Sequence, residues 1–148
     1  MGEANNPSVE EQLSEKVTRL SRLLQQELVI PISIFASPLS PAEALVKYLK
    51  EHKNLRLAEI ARLLNRDQRG IWCTHKRAQT KMPAVLAITA ASPTVHASVF
   101  CERKLSILEH VVHHLRSQNI AVKDIAQLIN KHPSTIASVH HRVRRKLR

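Results

Sequence analysis

Apolar residues in this chain recur mainly at helical spacing. From Val9 to about Leu28 they fall at Leu13, Val17, Leu20, Leu24 and Leu28, with no glycine or proline between them. Separations of four, three, four and four predict one amphipathic helix of about five turns. Glu15 and Arg19 add an i,i+4 ion pair in the better orientation. The stripe has two uses: packing on the body that follows, or a short dimerisation seam of Leu13, Val17, Leu20 and Leu24. Ahead of it, residues 1–8 are polar and are expected to be unstructured.

Ile30-Pro-Ile-Ser-Ile-Phe35 alternates and contains a proline, so it is expected to be extended, at best an edge strand. Ser40-Pro41-Ala42-Glu43 then supplies a cap, a proline at the first helical position and a glutamate three residues after the cap. A helix should run from Pro41 to about His52 and bury Ala44 or Leu45, Tyr48 and Leu49. Leu57, Ile60, Ala61 and Leu64 give a second, short stripe. Asn65 tolerates the left-handed backbone that ends a helix, and Asp67 is placed to cap the next one. That third helix carries Ile71, Thr74 and Ala78 on one face and Gln68, Arg69, Trp72 and Lys76 on the other. Two short helices, a tight turn, and a polar, basic outer face describe a helix-turn-helix.

The whole pattern occurs twice. At an offset of 65, Ser33, Phe35, Asn54, Ile60-Ala61, Leu63, Asn65, Ile71, His75 and Arg77 recur as Ser98, Phe100, Asn119, Ile125-Ala126, Leu128, Asn130, Ile136, His140 and Arg142. Across the first helix the offset is 66, pairing Leu39-Ser40 with Leu105-Ser106, and Glu43, Val46 and Leu49 with Glu109, Val112 and Leu115. One inserted and one deleted residue at loop-like positions explain the slip. Coincident cap, core and turn residues mark two copies of one module. The expected organisation is a disordered tip and association helix over 1–28, a first module over 29–79, a linker over 80–94 and a second module over 95–148. The linker holds no acid, two prolines and many small residues, but its Val85, Leu86 and Ile88 should be covered by other parts of the chain.

Composition narrows the class. With only 2 glycines and 3% aromatic residues, a β-sandwich or barrel lacks its turn and filling residues, so an all-α fold is expected. Net charge is +11, and residues 1–28, with five acids and three bases, carry −2 of it, which leaves +13 on the remainder. A basic body points first to nucleic acid and second to an anionic membrane surface. No apolar run approaches the roughly 20 residues of a membrane span, and the acidic, polar start matches neither a secretory nor a transit signal. Two cysteines, Cys73 and Cys101, at non-equivalent positions of the repeat suit a reducing cytoplasm rather than a disulfide framework. The chain contains no glycine-rich phosphate loop, no paired acids in an apolar setting and no nucleophile motif, so no enzymatic activity and no cofactor are expected. His110, His113 and His114 have the i, i+3, i+4 spacing of a metal pair on a helix face. Only Glu109 is at hand to complete a set, and a structural or solvated role is expected instead.

The candidate DNA-contacting residues follow from the two outer faces. In the first copy they are Arg66, Gln68, Arg69, Trp72, Lys76 and Arg77, with Cys73 beside them; Trp72 has the alternative of filling core between modules. In the second, His132-Pro133-Ser134 opens the helix. Ser134, Thr135, Ser138, His141, Arg142 and Arg145 are the candidates, and Ile136, Val139 and Val143 face inward. Arginine suits guanine and glutamine suits adenine in direct readout, so the first copy is the stronger base reader. The closing HHRVRRKLR, five bases and no acid, suits phosphates. The scarcity of aromatic stacking residues ranks RNA lower.

Ile60-Ala61-x-x-Leu64-Asn65 with Ile71, and Ile125-Ala126-x-x-Ile129-Asn130 with Ile136, resemble the helix-turn-helix of LuxR-type regulators and the promoter-reading C-terminal domain of sigma factors. The leading LSPAE and LSILE segments and the closing RRKLR add to the likeness. Together the two matches take in about half the chain. That family usually has glycine where Asn65 and Asn130 stand, and the duplication is a departure from it. The resemblance implies DNA binding through the second helix of each pair. The expected function is sequence-specific transcriptional regulation on duplex DNA by a homodimer, cytoplasmic and nucleoid-associated, with no membrane partner. The alternatives are a nucleoid architectural or DNA-bridging protein, and a module that docks on transcription machinery.

Overall fold

The computed structural model describes residues 6–148, apart from the side chains of residues 24–27. The described chain is mostly helical with one small sheet. Helix α1 (Val9–Glu27) is followed by strand β1 (Val29–Pro31), a 3-10 helix η1 (Ile32–Ala36), and helices α2 (Pro41–Glu51), α3 (Leu57–Leu63) and α4 (Gln68–Lys81). The same series returns as β2 (Thr94–His96), η2 (Ala97–Cys101), α5 (Ile107–Ser117), α6 (Val122–Leu128) and α7 (Pro133–Lys146). Each element has the length of its counterpart. The slip of one residue enters in the loop 102–106 and leaves in the loop 118–121.

Both halves are shaped by the same local devices. Asn54, Asn65, Asn119 and Asn130 all have positive φ, between 52° and 64°. Asparagine enters this left-handed region more easily than branched residues do. After α3 the Arg66 N–H reaches back to the Ala61 carbonyl at 2.8 Å, and after α6 Lys131 reaches Ala126 at 2.9 Å. Ser106 and Glu109 form the full reciprocal capping box. In the first half only Ser40 caps, accepting from Glu43 N–H, while the Glu43 carboxylate turns to Lys81 at 2.9 Å. The matching ion pair, Lys146 to Glu109 at 2.8 Å, ties the end of α7 to the start of α5. Asp67 occupies the cap position of α4 but makes no side-chain cap bond, unlike the expectation.

The two halves are not beads on a string. β1 and β2 pair antiparallel, Val29 with His96, Ile30 with Val95 and Pro31 with Thr94. Ile30 and Val95 are counterparts in the repeat, so the pairing is centred on equivalent residues. Two further backbone bonds are mates of each other, Ala97 N–H to Leu28 O and Ile32 N–H to Pro93 O, both 2.8 Å. Beside them the counterpart rings Phe35 and Phe100 lie 6.2 Å apart, both buried. η1 packs on α6, η2 packs on α3, and α2 meets α5. Every one of these contacts maps onto itself or its mate when the halves are exchanged. The body therefore has an internal pseudo-twofold axis and one continuous core.

Three expectations are corrected. Residues 32–36, read as extended, form a 3-10 helix after a three-residue strand. Ser8, placed in an unstructured tip, caps α1: its hydroxyl accepts from Glu11 N–H and its own N–H donates to the Glu11 carboxylate. Residues 1–5 of that tip lie outside the described residues. In the segment 80–94, α4 continues to Lys81, and of the three apolar residues expected to be covered only Leu86 is buried; Val85 and Ile88 are exposed. Leu86 is held on both sides, its N–H by the Glu51 carboxylate at 3.1 Å and its carbonyl by His52 Nε2 at 2.8 Å. Glu51 is also the ion-pair partner of Lys47, which is fully buried.

Because the core runs through both halves, denaturation should show one cooperative transition by circular dichroism and Trp72 fluorescence together. Phe100→Ala should lower stability by about 3–5 kcal/mol while keeping the transition single. Two separated transitions would contradict a shared core.

Candidate nucleic-acid interface

Helices α4 and α7 divide cleanly into inner and outer faces. Ile71 and Ala78 of α4, and Ile136, Val139 and Val143 of α7, are buried. These are the positions at which each helix packs on its own half, α4 on α2 and α3, α7 on α5 and α6. Gln68, Arg69, Trp72, Lys76 and Arg77 are exposed on α4, as are Ser134, Thr135, Ser138, His141, Arg142 and Arg145 on α7; Arg66, in the turn, is partly buried. Trp72 is 51% exposed, which rules out the core-filling role. The Lys76 ammonium lies 4.9 Å from its ring centroid, so the pair is a preformed cationic aromatic surface.

The outer faces border shallow depressions at counterpart positions, one against Trp72, Cys73, Lys76 and Arg77, the other against Ala137, Ser138, His141 and Arg142. Their chemistry differs. The α4 surface offers amide, guanidinium, indole and ammonium groups. On α7, Ser134 directs both its backbone N–H (3.2 Å) and its hydroxyl (2.7 Å) to His132 Nδ1, so its oxygen is left chiefly as an acceptor. The end of α7 carries Arg144, Arg145 and Lys146.

Between the halves lies a cleft of about 800 Å³. The N-termini of α2 and α5, Ser40–Ala42 and Ser106–Leu108, are counterparts and both line it. Arg66, Arg77, Arg103, Lys104 and Lys146 surround it, with Asp67 as the acid among its lining residues. Two helix N-termini and five cations make this cleft a region of positive potential. Arg77 and Cys73 belong both to this cleft and to the outer surface of α4. Arg103 and Lys104 were not among the sequence candidates. They sit in the loop 102–106, the place where the second copy gains its residue, and their counterparts near Ser37 and Pro38 carry no charge. The break in the repeat was the available signal.

Helix α1 presents the opposite situation. Its Val9, Leu13, Val17, Leu20 and Leu23 are between 49% and 72% exposed, so this part of the stripe does not pack on the body, whereas Leu28 packs against the core. Leu24, the fourth residue of the expected seam, lies outside the residues whose side chains are described. Contacts of α1 with the body are to β2 and η2. Of the three histidines at metal-like spacing, His110 is buried, its Nε2 2.6 Å from the Glu102 carbonyl and its ring edge-on to Phe100. It is a core residue. Among the described residues no group of three potential metal ligands comes together, and no helix is long and apolar enough to cross a membrane. Cys73 and Cys101 are both free thiols.

No known protein-family model, curated protein or solved structure matches this chain.

Electrostatics beneath the surface are governed by burial. Burial first, then Arg66 and His113, holds the His110 imidazole below its ordinary value of 6.5, against the Glu102 carbonyl and carboxylate. His75 and His140, counterparts on α4 and α7, are lowered chiefly by burial, with Lys50 and Lys47 adding at His75 and Arg116 and Arg144 at His140. His114 is lowered by burial and by His96 and His113. At Glu43 and Glu109 burial opposes ionisation. The bonds and charges of Lys81 and Lys146, with those of the capping serines, outweigh it and hold both carboxyls below 4.5.

The sign is the same for all six groups. A histidine with a depressed folded value is protonated first in the unfolded chain, so stability is full above 6.5 and falls as pH drops through and below it. The two carboxylates contribute stability above 4.5 that is lost as pH falls further. The melting temperature should therefore fall in two stages on acidification. His110→Gln should flatten the stage that begins near pH 6.5 and leave the lower one. An unchanged upper stage would assign it to the other histidines.

Proposed function

We propose that this chain binds duplex DNA and acts as a sequence-specific transcriptional regulator, with α3–α4 and α6–α7 as two helix-turn-helix units. The single observation that supports this most is the repeated face. After a four-residue turn built on a left-handed asparagine, α4 and α7 each bury one side and hold polar and cationic side chains outward. A major groove admits such a helix, and the cations around the cleft suit the flanking phosphates. Gln68, Arg69, Trp72 and Lys76 take the base-reading role. Arg66, Arg77, Ser134, Thr135, Ser138, His141, Arg142 and Arg145 hold mainly the backbone. No enzymatic step, cofactor or membrane contact enters this reading, and its setting is the cytoplasmic nucleoid.

The exposed Leu13, Val17 and Leu20 of α1 support homodimerisation through the seam of Leu13, Val17, Leu20 and Leu24, the last lying outside the described side chains. The weak reading capacity of α7 favours a second view, an architectural or bridging protein with little sequence preference. An interaction with transcription machinery through the same faces is the third.

Titration of a selected and a random duplex at several fixed salt concentrations separates these. Arg69→Ala should cost about 1–3 kcal/mol on the selected duplex and relax its specificity. Arg142→Ala should weaken both duplexes alike and reduce the salt slope by about 1. Equal affinity of the wild-type chain for both duplexes selects the architectural view, and indifference to both substitutions selects the protein partner. For the dimer, Leu13→Lys with Leu20→Lys should halve the mass seen by sedimentation; an unchanged mass removes the role of α1.

A further inference from the structure

We infer that one copy of this chain reads an inverted repeat of two unlike half-sites, with its internal pseudo-twofold axis over the centre of the site. This rests on the duplex-DNA reading above and adds to it the symmetry of the target. Two modules in tandem along a chain suggest a direct repeat, each read in the same sense. The strand pair forbids that arrangement. Translation-related units cannot form an antiparallel pair centred on equivalent residues, as Ile30 and Val95 are. Only a twofold relation gives the mated bonds Ala97 N–H to Leu28 O and Ile32 N–H to Pro93 O. Helices α4 and α7 are thus related by that axis, as the two recognition helices of a symmetric dimer are on a palindrome.

Both helices also border the same opening. Cys73 and Arg77 connect the outer surface of α4 to the cleft between the halves, and Lys146 brings the end of α7 to it. Arg103 and Lys104 of that cleft suit the duplex backbone beside Arg77, while the outer residues of α7 line a separate depression and α7 reaches the cleft only through Lys146. The half-sites are unlike because the faces are. Arg69, Trp72 and Lys76 stand where α7 has Ser134, Ala137 and His141, whereas Arg77 and Arg142, suited to phosphate, are the same in both copies.

The test gives α7 the counterparts of Arg69, Trp72 and Lys76 and keeps Pro133, which stands opposite Gln68 and opens the helix. Ser134→Arg, Ala137→Trp and His141→Lys together change only exposed positions of α7. Selection from random duplex DNA with the wild-type chain should enrich one strong half-motif beside a weaker element. Selection with the triple variant should enrich that half-motif twice in inverted order. Native mass spectrometry in the Leu13→Lys, Leu20→Lys background should count one chain per selected duplex. The reciprocal variant, Arg69→Ser with Trp72→Ala and Lys76→His, should lose the half-motif. A direct repeat, an unchanged single half-motif from the triple variant, or two chains per duplex would overturn the inference and leave DNA binding standing. Failure of the wild-type and triple-variant chains to retain any duplex would overturn the DNA reading, and this inference with it.

Discussion

Two backbone hydrogen bonds, from Ala97 to Leu28 and from Ile32 to Pro93, fix how the halves of this protein stand to one another. A pair of three-residue strands would not persist alone in water. Here Ile30 and Val95 are buried at its centre, Phe35 and Phe100 meet beside it, and α2 and α5 pack across the same axis. The backbone bonds set the angle and the burial supplies the free energy. Each half also lends its 3-10 helix to the short helix of the other, η1 to α6 and η2 to α3. Loss of the strand pair would therefore uncover apolar surface in both halves.

Much of this was legible one helix at a time. The buried set of α7 follows from apolar spacing, because a helix that packs on one side must repeat its apolar residues near every 3.6 positions. That of α2 does not: every residue from Glu43 to Leu49 is buried, since α2 packs on α3, α4 and η1 of its own half and on α5 of the other. Asn65 and Asn130 mark their turns because few other side chains enter the left-handed region cheaply. The relation between the copies was not legible. Ile30 and Val95 sit in three-residue strands, too short for an alternating pattern to distinguish from a loop, and their pairing spans 65 positions of sequence. Periodicity reports local burial and is silent on which distant segment supplies it. The same limit explains Leu86, whose burial depends on Glu51 and His52 of another element, and Arg103 and Lys104, which gain meaning from the cleft they line.

Divergence between the copies is strongest on the outer faces, although some buried counterparts also differ, Ala44 against His110 and Ala78 against Val143. Inner positions are held by packing: Ile71 matches Ile136, and Ile60-Ala61 matches Ile125-Ala126. The clamps Glu43–Lys81 and Glu109–Lys146 are alike because a carboxylate buried at a helix start needs a cation. Outer positions face solvent and are free of that restraint, and there Trp72 stands against Ala137 and Arg69 against Ser134. A homodimer with the same axis could not differ in this way, since one sequence would serve both faces. Fusing the two halves into one chain permits a twofold body with unequal surfaces.

The position of α1 adds a constraint on any larger assembly. It ends at Glu27, two residues before β1, and its contacts with the body are to β2 and η2 of the second half, beside the strand pair on the pseudo-twofold axis. A helix of 19 residues extends about 28 Å. Association through it, as proposed, would join two bodies near their axes and leave each pair of outer faces intact. Its residues 9–15 carry three acids and 16–22 three bases. Antiparallel pairing sets these opposite charges against each other, while parallel pairing stacks like on like. An antiparallel pair would send the two bodies to opposite ends of the rod, where each meets a separate stretch of duplex. Bridging would then follow from the charge order of α1, and reading from the faces of α4 and α7, without either function requiring a change in the other.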